Sequence, residues 1–164
     1  MDDADAAACC WRKIKTAILK ESLSKRPGTK DAAPVGGGPP PMLRILLAED
    51  DVNHATLARQ ALEGDGHQII TAPDGRAALA ALARQAFDLI LLDMRLPDVD
   101  GRELIDRVRG GQGQRPDIPI VVLTGYGLRQ HLDFFTSHGV HDFLAKPYDC
   151  DELATIIRAY DRHN

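Results

Sequence analysis

The spacing of hydrophobic residues changes along this chain. From Met42 onward, short apolar runs alternate with longer stretches in which apolar residues recur every three or four positions. Short, almost fully apolar runs are typical of strands buried in a parallel sheet, and the longer pattern is typical of helices packed on its faces. The alternation repeats five times, which predicts an α/β fold built on a doubly wound, five-stranded parallel sheet.

The pattern locates each element approximately. The predicted strands are residues 43–48, 67–72, 87–92, 118–123 and 143–145. The predicted helices are residues 55–63, 74–85, 101–109, 128–137 and 151–160. The third strand is almost entirely apolar, so we expect it in the centre of the sheet, buried on both faces.

The residues before Met42 have a different character. Residues 34–41 read PVGGGPPP and cannot propagate a helix or a central strand, so we interpret them as a linker. Residues 11–25 carry apolar residues at helical spacing among lysine and arginine. We therefore divide the chain into a leader with a Pro/Gly linker, residues 1–41, and a folded domain, residues 42–164. The leader is a disordered tail, a docking or membrane-surface helix, or the product of an upstream start, with Met42 as the working start.

Composition excludes several classes of function. The chain is 44% hydrophobic and 27% charged with a net charge of −4, which does not provide the basic surface that nucleic acid requires. No apolar run approaches the ~18 residues of a membrane span, and the N-terminus is acidic where a signal peptide would be basic. The three cysteines show no metal-ligand spacing. We expect a cytoplasmic protein.

Polar residues follow four of the five predicted strands. Glu49 and Asp50 follow the first strand, Asp93 the third, Thr124 the fourth and Lys146 the fifth. In a doubly wound sheet the ligand crevice lies at the carboxyl ends of the strands. We therefore expect these side chains to share one site.

Three carboxylates brought together repel one another unless a cation lies among them. Magnesium suits such a site because it takes oxygen ligands and bridges to phosphate oxygens. Asp50 and Asp93 as direct ligands, with Glu49 through water, would leave Asp93 able to act as a nucleophile toward a phosphoryl group. Lys146 would pair with the acyl phosphate and Thr124 would donate a hydrogen bond to it. Taken singly, each residue is also explained as a turn, a helix cap or a structural hydroxyl.

Four motifs with this order and spacing resemble the response-regulator receiver family. They are ILLAEDD at 45–51, LLDMRLPDVDG at 91–101, VVLTG at 121–125 and FLAKP at 143–147. The resemblance runs from Leu43 to about Tyr160 and implies a flavodoxin-like (βα)5 receiver fold. It implies that Glu49 and Asp50 form the acidic pair of a magnesium site and that Asp93 is the phospho-acceptor.

The resemblance also implies the remaining roles. The backbone carbonyl of Arg95 would complete the metal site, Thr124 and Lys146 would contact the phosphoryl group, and Thr124 with Phe143 would form the switch. Phenylalanine keeps the ring of that switch position but lacks the hydroxyl that tyrosine would carry there. The Lys-Pro peptide bond that follows the fifth strand is often cis in this family. Arg95 and Tyr126 flank the site, and their bulk predicts a long-lived phosphoryl state.

The resemblance implies the partners too. A sensor histidine kinase or a histidine phosphotransfer protein would supply the phosphoryl group. A downstream protein would bind the surface of helix four, strand five and helix five, residues 128–138 and 150–162, and a homodimer that forms on phosphorylation is a further expectation. We expect no nucleic-acid partner and no enzyme activity beyond magnesium-dependent self-phosphotransfer and autodephosphorylation.

The sequence is compatible with several functional hypotheses. Since the sequence ends soon after the last predicted helix, we expect a stand-alone receiver that acts by docking. The alternatives are a receiver-like interaction module without phosphorylation and a receiver detached from a hybrid sensor kinase. A haloacid-dehalogenase-like phosphatase also uses a strand-terminal aspartate, but it has a second aspartate two residues later, where this chain has Arg95.

Overall fold

Five short segments rich in leucine, isoleucine and valine form the sheet, and the amphipathic segments between them form the helices. The computed structural model describes residues 42–125 and 128–161, with the backbone alone for residues 128–131. The predicted leader and linker, Tyr126 and Arg162 lie outside the described residues. The elements in chain order are β1 Arg44–Ala48, α1 Val52–Gly64, β2 Gln68–Ala72, α2 Gly75–Arg84, β3 Leu89–Asp93, α3 Gly101–Arg109, β4 Ile120–Thr124, α4 Leu128–Ser137, β5 Asp142–Ala145 and α5 Cys150–Asp161.

The sheet has the strand order β2-β1-β3-β4-β5, and all of its pairs are parallel. From β1 the chain crosses to β2 on one side, and it then returns to place β3 on the other side. This reversal creates the switch point at which doubly wound sheets bind ligands, beside the carboxyl ends of β1 and β3. The predicted doubly wound, five-stranded parallel fold is confirmed.

The sheet lies between two layers of helices, which cover the apolar residues on both of its faces. β3 and β4 are buried along their whole length, as expected for strands covered on both sides. On one face α1 packs against α5, and on the other α2 packs against α3. Within the described ranges, no helix combines the length and apolar character needed to cross a bilayer.

Side-chain caps explain where the structure departs from the predicted boundaries. We predicted the first helix from residue 55, but α1 begins at Val52 because the Asp51 carboxylate accepts the N–H groups of Asn53 and His54 at 2.8 and 3.1 Å. α5 begins at Cys150, one residue before its predicted start. There Asp149 and Glu152 form a reciprocal capping box, with N···O distances of 3.2 and 2.7 Å.

Two strands begin two residues later than predicted. β3 starts at Leu89 and includes Asp93 as its last residue, and β4 starts at Ile120, after Pro119. Proline lacks an N–H to donate to the neighbouring strand, which accounts for the later start of β4. The Lys146–Pro147 peptide bond that follows β5 is cis, as the resemblance implies.

Candidate functional site

The polar residues that follow the strands lie at one edge of the sheet. Glu49 comes directly after β1, Asp93 and Thr124 are the last residues of β3 and β4, and Lys146 comes directly after β5. Because β1, β3, β4 and β5 are consecutive neighbours in a parallel sheet, their carboxyl ends form one continuous rim. Asp50 is next to Glu49 and is exposed. The structure thus brings the predicted residues to one region.

Lys146 connects the two buried carboxylates. Its Nζ donates to Oε2 of Glu49 at 2.6 Å and to Oδ2 of Asp93 at 2.8 Å. The Glu49 and Asp93 side chains are 1% and 9% exposed, so their charges are largely removed from water. Charges this well buried need a partner, and a single ammonium group serves both carboxylates.

Backbone N–H groups hold the other oxygen of each carboxylate. Oε1 of Glu49 accepts the N–H of Asp51 at 3.2 Å, and Oδ1 of Asp93 accepts the N–H of Arg95 at 2.9 Å. Both side chains are therefore oriented from two sides, by Lys146 and by the loop that follows their own strand. Groups held in this way need little rearrangement when a ligand binds.

Burial and neighbouring charges shift the pKa values of Glu49 and Lys146. Burial raises the pKa of Glu49, the bond from Lys146 lowers it, the nearby Asp93 raises it again, and the net direction is upward. For Lys146, burial alone would lower the pKa, but the bonds to Asp93 and Glu49 outweigh it and leave the pKa above its ordinary value. Lys146 is therefore held in its charged form beside the acidic pair.

The acidic residues fit a divalent cation. One oxygen each from Glu49, Asp50 and Asp93 lies within 4.8 Å of the other two. Carboxylate oxygens are the ligands that magnesium and calcium prefer. The cluster borders an open cavity of about 620 Å³, which is large enough for hydrated ions and a phosphoryl group. The arrangement can therefore hold a metal ion through oxygen ligands.

The other predicted residues differ in their relation to the cavity. Arg95 lines it, as does Gly125, the residue after Thr124, whereas Thr124 and Phe143 are not among its lining residues. Thr124 is buried, and its carbonyl accepts the N–H of Lys146 at 2.7 Å. Phe143 is also buried and lies opposite Val122 across the β4–β5 pair.

Sequence reasoning did not place the start of α1 in the site. Val52, Asn53 and His54 line the cavity, and Nδ1 of His54 lies 4.0 Å from Oε1 of Glu49. The missing signal was Asp51. Once this aspartate is recognised as a helix cap rather than a member of an acidic run, the next three residues form the first turn of a helix at the rim of the site.

Comparisons with known proteins agree with this geometry. The family model described as response regulator receiver domain matches residues 45–158. The sensor protein GacS of Pseudomonas syringae pv. syringae is 30% identical over 154 residues, which are 93% of this chain and 17% of GacS. The transcriptional regulatory protein TcrA of Mycobacterium tuberculosis is 37% identical over 120 residues, 73% of this chain and 46% of TcrA. The chain thus spans less than half of either relative.

Solved structures show the same fold. The signal receiver domain of a Luxo repressor protein from Vibrio parahaemolyticus superimposes with a TM-score of 0.68 at 28% identity, covering 74% of this chain and 91% of that one. The chemotaxis response regulator CheY4 of Vibrio cholerae gives a TM-score of 0.68 at 27% identity, with 73% and 99% coverage.

Proposed function

Because this chain belongs to the response regulator receiver family, we propose that it accepts a phosphoryl group on the carboxylate of Asp93 and changes a protein-binding surface in response. One observation carries the proposal. Asp93 lies at the tip of a central strand, beside an open cavity, with Lys146 on one of its oxygens and the Arg95 N–H on the other.

The proposed reaction is a transfer from a phosphohistidine. A carboxylate oxygen of Asp93 forms a bond to phosphorus while the bond between phosphorus and the donor imidazole nitrogen breaks. Lys146 is already within bonding distance of Asp93 and would pair with the negative oxygens of the acyl phosphate. Positioning and charge stabilisation therefore account for most of what this chain contributes.

We propose that Glu49, Asp50, Asp93 and the carbonyl of Arg95 hold a magnesium ion. Glu49 and Asp93 each have one oxygen bonded to Lys146 and a second bonded to a backbone N–H, whereas Asp50 is exposed. Asp50 is therefore the carboxylate freest to reach an ion. Magnesium supplies positive charge that offsets the negative charge of the phosphoryl oxygens when it is bound.

The proposed switch consists of Thr124 and Phe143. Thr124 pairs with Ala145 across the β4–β5 ladder. In the sequence, Ala145 lies between Phe143 and Lys146. A movement of the Thr124 hydroxyl toward a phosphoryl group would change the packing beside β5, where Phe143 is a large buried side chain two residues before Ala145. A shift between two packings would change the surface of α4, β5 and α5, where we propose that a downstream protein binds.

The donor is proposed to be a sensor histidine kinase or a histidine phosphotransfer protein, encountered in the cytoplasm. A phosphorylation-dependent homodimer, a long-lived phosphoryl state and the division at residue 42 remain predictions. A second candidate is a receiver that belongs to a hybrid sensor kinase. It is favoured by the similarity to the sensor protein GacS, which extends over 93% of this chain.

Labelling with a small phosphodonor tests the proposal. The protein is incubated with acetyl phosphate and Mg²⁺, and its intact mass is compared with that of Asp93→Asn. The control is Asp88→Asn. Asp88 directly precedes β3, whereas Asp93 is the last residue of that strand. We expect one added phosphoryl group on the parent and on the control, and none on Asp93→Asn. Equal labelling of all three proteins would contradict the assignment of Asp93, and no labelling of the parent would favour an interaction module without phosphorylation.

A further inference from the structure

The loop between β3 and α3, residues 94–100, is fastened at both ends. The N–H of Met94 donates to the carbonyl of Leu123 at 3.4 Å, and the N–H of Gly101 donates to the carbonyl of Met94 at 3.3 Å. This loop carries the Arg95 N–H, which orients Asp93, and the Arg95 carbonyl, which we assign to the metal site. Its middle needs a separate anchor if these groups are to keep their positions.

Asp98 provides that anchor. Its Oδ1 accepts the N–H of Gly75 at 2.7 Å and that of Val99 at 2.7 Å, and its Oδ2 accepts the N–H of Arg76 at 3.0 Å. Gly75 and Arg76 are the first two residues of α2, where N–H groups have no partner within the helix. The carboxylate therefore joins the loop to the start of another helix.

The loop and α2 also pack closely at Gly75. A Cβ atom on Gly75 would lie 2.5 Å from the Cβ of Val99, whose side chain is buried. Burial alone would raise the pKa of Asp98, but its bonds from Gly75, Arg76 and Val99 lower it below the ordinary value. Asp98 is thus held as a carboxylate by a closely packed, well-bonded contact.

We propose that Asp98 is a positioning residue of the phospho-acceptor site. By bonding to the start of α2, it holds residues 94–100 in the conformation that presents the Arg95 carbonyl and the Asp93 carboxylate to the divalent ion. This inference rests on the proposed function. Residues that orient metal ligands without contacting the metal typically change affinity by about 10- to 100-fold when they are removed.

Asp74 offers a matched control. It caps the same helix, since its Oδ1 accepts the N–H of Ala77 at 2.6 Å, but within the described part of the chain it bonds to no atom of the loop. Asp74→Ala and Asp98→Ala each remove one cap from α2, and only Asp98→Ala releases the loop. A purely structural role of Asp98 predicts the same behaviour for the two variants.

The experiment measures Mg²⁺ affinity and stability together. The full chain and the variants Asp98→Ala, Asp98→Asn and Asp74→Ala are titrated with Mg²⁺ by calorimetry, unfolded in urea, and labelled with acetyl phosphate. We expect Asp98→Ala to weaken Mg²⁺ binding about tenfold or more and to slow labelling. Asp98→Asn keeps one acceptor oxygen and should lie between it and the parent. Asp74→Ala should lose stability and bind Mg²⁺ like the parent.

Failure of this inference can be distinguished from failure of the proposed function. If the parent binds Mg²⁺ and is labelled while folded Asp98→Ala matches Asp74→Ala in affinity, Asp98 is only a helix cap and the inference is wrong. If Asp98→Ala does not fold, Asp98→Asn decides, and an affinity equal to that of the parent overturns the inference. A parent that neither binds Mg²⁺ nor becomes labelled refutes the proposed function, and the role of Asp98 with it.

Discussion

Replacing Lys146 with methionine should expose the electrostatic cost of the acidic pair. Methionine keeps most of the apolar stem and removes the ammonium group that lies 2.6 Å from Glu49 and 2.8 Å from Asp93. The two carboxylates, 1% and 9% exposed, would then be buried without their shared cation. Breaking a buried ion pair in this way costs about 3–5 kcal/mol, and the open cavity beside the pair favours the lower end, about 3 kcal/mol.

The loss should depend on pH. Burial already raises the pKa of Glu49 above 4.5 in spite of Lys146, and removal of the lysine raises that pKa further. A carboxyl group with a raised folded-state pKa contributes stability that is present below its unfolded pKa and is lost as the pH rises through the folded value. The variant should therefore resemble the parent near about pH 4 and become less stable as the pH rises toward about 8. Lys146 keeps its charge in the parent throughout this range, since its own pKa is raised.

Urea unfolding followed by circular dichroism, at both pH values and with a chelator present, measures the difference. Added Mg²⁺ should restore part of the lost stability at high pH, because an ion that binds the folded state stabilises it. The control is Arg158→Met, which breaks the exposed pair between Arg158 and Asp65, where a loss of at most about 1 kcal/mol is expected. A loss for Lys146→Met that is equal at the two pH values, or no larger than that of the control, would refute the electrostatic argument.

Two further predictions concern a buried carboxylate and a close contact of the backbone. Asp161 has a buried Oδ1 without a hydrogen-bond partner among the described residues, and burial raises its pKa in spite of the nearby His67. Asp161→Asn should therefore stabilise the domain by about 1 kcal/mol at neutral pH and by progressively less in acid, and equal urea midpoints at neutral pH would contradict this. A Cβ on Gly101 would lie 2.8 Å from the backbone of Met94, so Gly101→Ala should lower stability by about 1–3 kcal/mol, whereas Gly64→Ala, which enters open space, should not lower it. Similar urea midpoints for the two alanine variants would show that the loop yields to the added methyl group.

Periodicity and strand ends were sufficient to predict which polar residues lie at one edge of the sheet. The apolar runs are short and separated by amphipathic segments, so the order of strands and helices could be inferred without knowing which strands are neighbours. Because parallel strands all end at the same edge of a sheet, Glu49, Asp93 and Lys146 were expected at one edge, but the distances between them depend on the strand order that the structure shows. The prediction that these residues share one edge therefore depended on the strands being parallel.

Bonds between distant segments were not predictable in this way. Asp98 caps a helix that begins 23 residues earlier, and nothing in a run of turn-forming residues specifies that partner. Arg109 is a similar case, because its guanidinium donates to carbonyls of Pro116, Ile118, His138 and Gly139, which the packing of α3 brings together. Helix starts were misplaced for a related reason, since the role of Asp51 as a cap depends on which N–H groups face it.

The bridge made by Lys146 joins parts of the chain that are far apart in the sequence. Glu49 precedes Lys146 by 97 residues and Asp93 precedes it by 53 residues. Lys146 comes directly after β5, which is an edge strand of the sheet. Local opening of this edge would therefore withdraw the ammonium group from both carboxylates at once. The charge balance of the acidic pair thus depends on β5 staying paired with β4.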